Sequence, residues 1–244
     1  MIAADARPAA PIESASSAMR PVLEVLSRVA AHDVPVLLRG ESGSGKSALA
    51  RSLHAASPRR ERPLVPVDCR ELAAEALRSG RSLAARIEEA LGSTLLLEEV
   101  GALPERLQAG LLSLLEPSGA GRAAPVRVVA TSERRLEDAV AAGEFRGDLL
   151  RRLAVVEVRV PPLRARREDV LPLARAFLGA SGLRRGEGPP ALSPRAERAL
   201  LAYPWPGNLR ELRNAVERAL VLEPGPVVDL EGLPPRIAAL GGDP

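Results

Sequence analysis

The 244-residue sequence predicts an α/β fold, a parallel five-stranded sheet with helices on both faces, followed by a small all-α domain. Three observations carry this expectation. Short apolar runs alternate with helical periodicity up to residue 160, the pair Pro161-Pro162 stops that alternation, and the apolar spacing beyond it is that of helices alone. Aromatic residues make up only 2%, so the core has to be built from Leu, Val and Ala, which suits strands buried on both faces.

Each element has its own signal. Residues 1–11, rich in Ala and Pro, read as a flexible tail. Ser16 and Ser17 precede an amphipathic run over 19–31, a helix with a serine cap. Residues 34–38 form a short apolar strand, 40–45 a glycine-rich turn, and 47–56 a helix. An arginine-rich loop over 57–62 leads to a second strand at 64–67. Residues 71–91 are helical, with a break at Ser79-Gly80. The third strand, 94–97, is apolar after its threonine, and Pro104 opens a helix to 115. The fourth strand is 126–130, helices follow over 135–141 and 148–153, and the fifth strand is 155–160. Behind Pro161-Pro162 come helices over 167–178, 193–202 and 208–222, the second capped by Ser193 with Pro194 at its first position. The chain therefore divides into residues 12–162, the α/β domain, 163–222, a helical domain, and 223–244, a mostly irregular tail, with a Gly/Arg/Pro loop over 183–190.

Composition excludes several classes. One cysteine, Cys69, and two histidines leave no disulfide framework and no Cys/His zinc site. No apolar run reaches the ~18 residues of a membrane span, and the first residues lack the pattern of a secretory signal, so a cytoplasmic location is expected. A net charge of +3 is mild. The arginines Arg59, Arg60, Arg62, Arg184 and Arg185 read as solvated loop charges, so direct DNA binding is not expected.

The segment Gly40-Glu41-Ser42-Gly43-Ser44-Gly45-Lys46-Ser47 fits the phosphate-loop pattern between a strand and a helix. Its glycines let backbone N–H groups converge on one anion, and the helix that follows offers its positive end. Lys46, the chain's only lysine, is placed to neutralise the β- and γ-phosphates of a nucleoside triphosphate, most simply ATP, and the Ser47 hydroxyl to ligate Mg²⁺. The third strand ends in two acids, at the sheet edge where ligands of open α/β folds sit. Glu98 is the candidate for holding Mg²⁺ and Glu99 the candidate for activating the attacking water.

With these motifs in hand, the chain resembles the central AAA+ ATPase domain of the bacterial enhancer-binding activators of sigma-54 over about residues 16–222. The stretches that carry the resemblance are Ala18-Met19-Arg20, the strand and loop ending at Ser47, Pro66-Val67-Asp68-Cys69, residues 92–104, Phe145-Arg146-Gly147-Asp148-Leu149 with Arg152-Leu153, Pro161-Pro162-Leu163-Arg164, and the run from Tyr203 through Pro206-Gly207-Asn208-Leu209-Arg210-Glu211. The resemblance implies a sensor I role for Ser132, arginine fingers at Arg146 and Arg152 acting on a neighbouring subunit's nucleotide, sensor II at Arg210, and at Asp68 the residue that switches the catalytic glutamate. It also implies an oligomer, either a ring of identical copies or a mixed assembly with a related AAA+ protein, and a partner in the transcription machinery.

Departures from the family pattern are equally specific. Residues 70–97 contain no Gly-Ala-Phe-Thr-Gly-Ala loop, the element that touches the sigma factor, and 116–126 looks trimmed. Glu98 stands where the family has Asp, and Glu133 where it has Asn. Neither a regulatory domain ahead of the ATPase nor a helix-turn-helix behind it is expected. Three functions follow as alternatives: an oligomeric ATPase regulating transcription without opening sigma-54 promoter complexes directly, a weakly or non-hydrolysing ATP-binding module that caps rings of a longer relative, and a P-loop kinase. The run around Tyr203 speaks against the last.

Overall fold

The computed structural model describes residues 14–76, 83–115, 126–185, 190–223 and 225–241. The expected tail at 1–11, the helix break at Ser79-Gly80, the trimmed stretch at 116–125 and residues 186–189 of the expected loop lie outside the described residues. By its internal contacts the chain divides into two units. One holds residues 21–40 and 45–160, and the other 14–20, 41–44 and the chain from Pro161 onward.

The first unit is a five-stranded parallel sheet in the order β2-β3-β4-β1-β5. The strands are β1 (Val36–Arg39), β2 (Leu64–Asp68), β3 (Thr94–Glu98), β4 (Arg127–Ser132) and β5 (Val156–Arg159). β1 and β4 are buried along their whole length and β3 along all but its last residue, which is why their central residues read as apolar runs instead of alternating ones. The register sets Leu37 beside Ala130 and Glu157, and Asp68 beside Glu98. The helices are α1 (Arg20–Ala30), α2 (Lys46–Ala55), α3 (Cys69–Ala76), α4 (Leu83–Glu89), α5 (Glu105–Leu115), α6 (Leu136–Ala141) and α7 (Gly147–Leu153).

α1 turns Val22, Leu26 and Ala30 inward, a four-residue stripe. Its last carbonyls, Val29 and Ala30, accept from the fully buried Arg127 guanidinium at 2.9 and 3.1 Å, a cation at the negative end of a helix. The expected serine cap of this helix takes another form. The Ser16 hydroxyl accepts from Ala18 N–H at 3.2 Å, a turn ahead of the helix that ends before Arg20.

The second unit contains α8 (Val170–Arg185), α9 (Pro194–Ala202), α10 (Asn208–Leu222) and α11 (Pro235–Ala238), with a two-residue parallel pair, β6 (Ala191–Leu192) and β7 (Val227–Val228). Its core is Leu163, Val170, Leu178, Leu200, Trp205, Leu212 and Val216 with their neighbours. Ser193 caps α9 as expected, accepting from Ala196 N–H at 3.0 Å and donating to Asp229 at 2.6 Å.

Two expectations are corrected here. α8 runs on to Arg185 instead of ending at 178, because Gly179 and Gly182 weaken a helix without breaking one whose earlier turns are packed in the core. The expected irregular tail carries β7 and α11, and Val228, Leu230, Leu233 and Ile237 bury into the second core. Elements of two to four residues are too short for hydrophobic periodicity to register.

Candidate functional site

The loop after β1 is shaped by glycine. Gly43 and Gly45 have φ of 71° and 100°, left-handed values that a side chain resists. Gly45 is the residue before α2, and no side chain caps that helix start, so the first N–H groups of α2 are available to an anion. Gly40 N–H donates to the Ser132 carbonyl at 3.3 Å, which fixes the loop's entry beside the end of β4.

Lys46 opens α2 and is only 6% exposed. Its Nζ donates to the Gly40 carbonyl at 2.9 Å and lies 3.3 Å from Glu99 Oε1 and 3.9 Å from Glu133 Oε1. Glu99 follows β3 with φ 53° and ψ 53°, a left-handed conformation that costs a residue with a side chain about 1–2 kcal/mol. Its N–H donates to Thr131 Oγ1 at 3.0 Å, and its Oε2 accepts from Glu133 N–H at 2.9 Å. Arg70, in the first turn of α3, brings Nη2 to 3.1 Å from Glu133 Oε2 and 3.6 Å from Glu99 Oε2. The phosphate-binding lysine and the water-activating acid of the sequence reading thus meet, in company with Arg70 and the Glu133 carboxylate.

Glu98 is the last residue of β3, beside Asp68 in the register. The Asp68 carboxylate accepts from Arg70 N–H at 2.8 Å, so it caps α3, and the cation beside Glu99 is supplied by Arg70. Ser132 is 1% exposed and its hydroxyl donates to the Arg134 carbonyl at 2.9 Å, while its neighbour Glu133 carries the carboxylate in the cluster. Cys69 is inert: burial pushes its thiol up to about 12, aided by the negative charge of Asp68, Glu99 and Glu98. His54 bridges Thr94 Oγ1 and the Arg62 carbonyl at 2.9 and 3.0 Å, and burial lowers its pKa, so it ties α2 to the sheet as a neutral ring.

Ser47 follows Lys46 in α2 and offers a hydroxyl; Glu98 at the strand end offers a carboxylate. These are the hard oxygen donors Mg²⁺ takes while keeping waters and phosphate oxygens, so the donor set fits. Among the described residues no group of three or more His, Cys, Asp or Glu could hold a metal by itself, which a phosphate-bound Mg²⁺ does not require.

Residues 41–44 of the loop belong to the second unit, where several groups fasten them. Glu41 makes a bidentate pair with Arg164 at 2.5 and 2.7 Å. Asn208 Nδ2 donates to the Ser42 carbonyl at 3.0 Å, Leu209 N–H to the Gly43 carbonyl at 2.9 Å, and Arg166 to the Ser44 carbonyl at 2.5 Å. Arg210 Nη1 donates to Ser42 Oγ at 2.8 Å and lines a cavity of about 860 Å³ together with Arg218, Arg236 and Glu211. The Ser44 hydroxyl is buried without a hydrogen-bond partner, a polar group that a phosphate oxygen would satisfy.

The two candidate fingers differ. Arg146 precedes α7, and its guanidinium is paired with Asp148 at 2.7 Å. Arg152, in the last turn of the same helix, is exposed and makes no ion pair or hydrogen bond among the described residues. Two of the loop arginines pair with acids of the same chain. Arg59 pairs with Asp33 at 2.7 Å and donates to the Ser93 carbonyl at 2.9 Å, and Arg60 lies 3.2 Å from Glu61. The side chains of Arg184 and Arg185 lie outside the described residues. No helix among the described residues is long and apolar enough to cross a membrane.

A parallel sheet of this order, with a glycine loop and lysine behind β1 and an acid pair behind β3, defines a P-loop nucleoside-triphosphatase fold of the AAA+ class. Residues 14–163 match the Sigma-54 interaction domain, and residues 164–242 match the AAA+ ATPase lid domain. The chain belongs to the Sigma-54 interaction domain family. It is 41% identical to the alginate biosynthesis transcriptional regulatory protein AlgB of Pseudomonas aeruginosa, over 91% of this chain and 54% of that protein. It is also 41% identical to the transcriptional regulatory protein ZraR of Klebsiella oxytoca, over 90% of this chain and 54% of that one. The structure of NtrX from Brucella abortus in complex with ADP superimposes with a TM-score of 0.80 at 35% identity, covering 93% of this chain and 56% of NtrX. The chain spans about half the length of the curated relatives it matches.

Proposed function

We propose that this chain binds ATP with Mg²⁺ at the loop Gly40 to Ser47 and hydrolyses it within an assembly of several copies, in the service of transcription regulation. The observation that carries the reading is the 3.3 Å approach of Lys46 Nζ to Glu99 Oε1, which supports a phosphate-binding role for the lysine and a proton-accepting role for the carboxylate beside it. In this reading Lys46 and the N–H groups of α2 take the β- and γ-phosphates. Glu99 takes a proton from the water that attacks the γ-phosphorus, the bond to the β-γ bridging oxygen breaks, and ADP and phosphate leave. Ser47 and Glu98 would hold Mg²⁺, which would supply positive charge against the charge developing on the phosphates. Arg210 and Ser132 keep the sensor roles that the resemblance implies, and Asp68 supports the switch by holding the turn that carries Arg70.

Arg152 is the stronger of the two candidates for a charge delivered to a neighbouring subunit, since Arg146 already has a partner in its own chain. Kinship with transcriptional regulators supports a partner in the transcription machinery, and nucleotide in the related NtrX structures supports the choice of ligand. Because residues 70–97 hold no sigma-contacting loop, the shape change between nucleotide states would reach its partner through another surface, and direct opening of sigma-54 promoter complexes is not expected.

One observation favours a second reading, an ATP-binding module that hydrolyses weakly and caps rings of a related protein. The Glu133 carboxylate sits 3.9 Å from Lys46, where a neutral residue would leave the lysine to the phosphates. ATPase activity measured against protein concentration separates the two. The hydrolytic reading expects a specific rate that rises with concentration, falls at least tenfold in Arg152→Ala with ATP binding retained, and vanishes in Glu99→Gln. Intact binding with no turnover at any concentration favours the capping module.

A further inference from the structure

Four charges meet beside the ends of β3 and β4. Lys46 Nζ is 3.3 Å from Glu99 and 3.9 Å from Glu133, and Arg70 Nη2 is 3.1 Å from Glu133 and 3.6 Å from Glu99. The Glu99 carboxylate is held beside residue 133, because the Glu133 backbone N–H donates to Glu99 Oε2 at 2.9 Å. Arg70 is anchored at its backbone, where its N–H donates to Asp68 at 2.8 Å. Within this cluster two acids face two bases.

A bound triphosphate upsets that balance. A lysine in this loop position reaches the β- and γ-phosphates, so it draws away from the carboxylates. The γ-phosphate then brings negative charge towards Glu99 and Glu133, and Arg70 stays as their counter-charge. A diphosphate lacks the group that comes nearest, so it depends less on Arg70. We propose that Arg70, seated on Glu133, sets the preference of this site for a nucleoside triphosphate over the corresponding diphosphate. The proposal rests on the nucleotide-binding reading of the loop and is independent of whether the bound triphosphate is hydrolysed.

Glu133 makes the arginine necessary. With a neutral residue there, a single acid would face the γ-phosphate and the repulsion would be smaller. With Glu133 present, removing Arg70 leaves two carboxylates beside the incoming phosphate, and like charges at such range repel appreciably even near the surface. Arg70 and Glu133 therefore act as one unit, and Arg70 contributes less to the triphosphate preference once Glu133 is neutral and only Glu99, 3.6 Å away, remains beside it.

The test is equilibrium titration of the full chain with fluorescent ADP and with a fluorescent, slowly hydrolysed ATP analogue, both with Mg²⁺. The variants are R70A, R70K, E133Q and R70A/E133Q. The Arg70 side chain is 57% exposed, so R70A is expected to fold and to melt with the parent. R70A should lose about tenfold in analogue affinity relative to ADP, equivalent to about 1.4 kcal/mol. R70K should keep most of the preference, and R70A/E133Q should recover it. An unchanged analogue-to-ADP ratio in R70A, with the parent binding both nucleotides, overturns the inference alone, as does a ratio in R70K as low as in R70A. A parent that binds neither nucleotide overturns the nucleotide reading and the inference with it. A shifted ratio in a protein that never turns over leaves the inference standing and sinks only the hydrolytic reading.

Discussion

Asn208 offers a perturbation whose size can be worked from the structure. It is fully buried at the start of α10, with φ 52°. Its Oδ1 accepts from Leu163 N–H at 2.7 Å, and its Nδ2 donates to the Ser42 carbonyl at 3.0 Å and to Glu41 Oε2 at 3.2 Å. Asn208→Ala removes all three bonds. The Leu163 amide is then left buried without a partner, at a cost of about 1–3 kcal/mol. Alanine in the left-handed region costs about 1–2 kcal/mol more. The Ser42 carbonyl is partly exposed and water replaces that bond, so the total is about 2–5 kcal/mol. Asn208→Gly loses the same bonds but not the conformational cost, and after allowing for glycine's greater freedom in the unfolded chain it should be milder by about 0.5–1 kcal/mol. Urea unfolding followed by fluorescence reads this unit alone, because Trp205, the chain's one tryptophan, is buried in the same core. A cost for Asn208→Ala below about 0.5 kcal/mol, or a glycine variant less stable than the alanine one, would refute the reasoning.

Two further outcomes follow from other contacts. Gly43→Ala combines a left-handed φ of 71° with a Cβ only 2.5 Å from the Gly207 carbonyl oxygen, so the loop has to move; nucleotide affinity measured by titration should fall at least tenfold, and parental affinity would contradict the loop's shape. Glu137 is held down from 4.5 to about 2 by the hydrogen bond from Arg39, so its contribution to stability is present above pH 4.5 and is lost as pH falls through 2. Acid unfolding of Glu137→Gln should therefore show a shallower loss of stability across that window, and a slope equal to the parent's would remove Arg39 as the cause.

Much of the fold was legible because each central strand is buried on both faces. Leu95, Leu96 and Leu97 announce β3 by having no polar residue among them. The loop was legible for a different reason: glycine spacing, a lysine and a hydroxyl at fixed offsets are demanded by phosphate itself, whatever surrounds them. What escaped was decided by pairing in space. Arg70 is one arginine among many, and nothing near it in the sequence marks it as the neighbour of a residue 63 positions away. Glu133 was visible as a departure from the family pattern, but its place in the cluster depends on the turn at Glu99, which delivers that residue's carboxylate to the Glu133 N–H.

The same distinction explains Asp68 and Ser132. Residue type and position match the switch and sensor that the resemblance implies, and each also satisfies a nearby backbone group, Asp68 the start of α3 and Ser132 the carbonyl of Arg134. Short polar side chains beside a helix start or a turn bond locally when they can. Long ones, such as Arg70 and Glu133, have the reach to meet across strand ends. In this chain the groups set closest to Lys46 and Glu99 are therefore the long neighbours of the matched positions, one residue beyond Ser132 and two beyond Asp68. A replacement at Asp68 should thus act on nucleotide preference only by loosening the turn that holds Arg70. Asp68→Asn, which can still accept the Arg70 N–H bond, should leave the triphosphate-to-diphosphate ratio within about twofold of the parent, whereas R70A shifts it about tenfold.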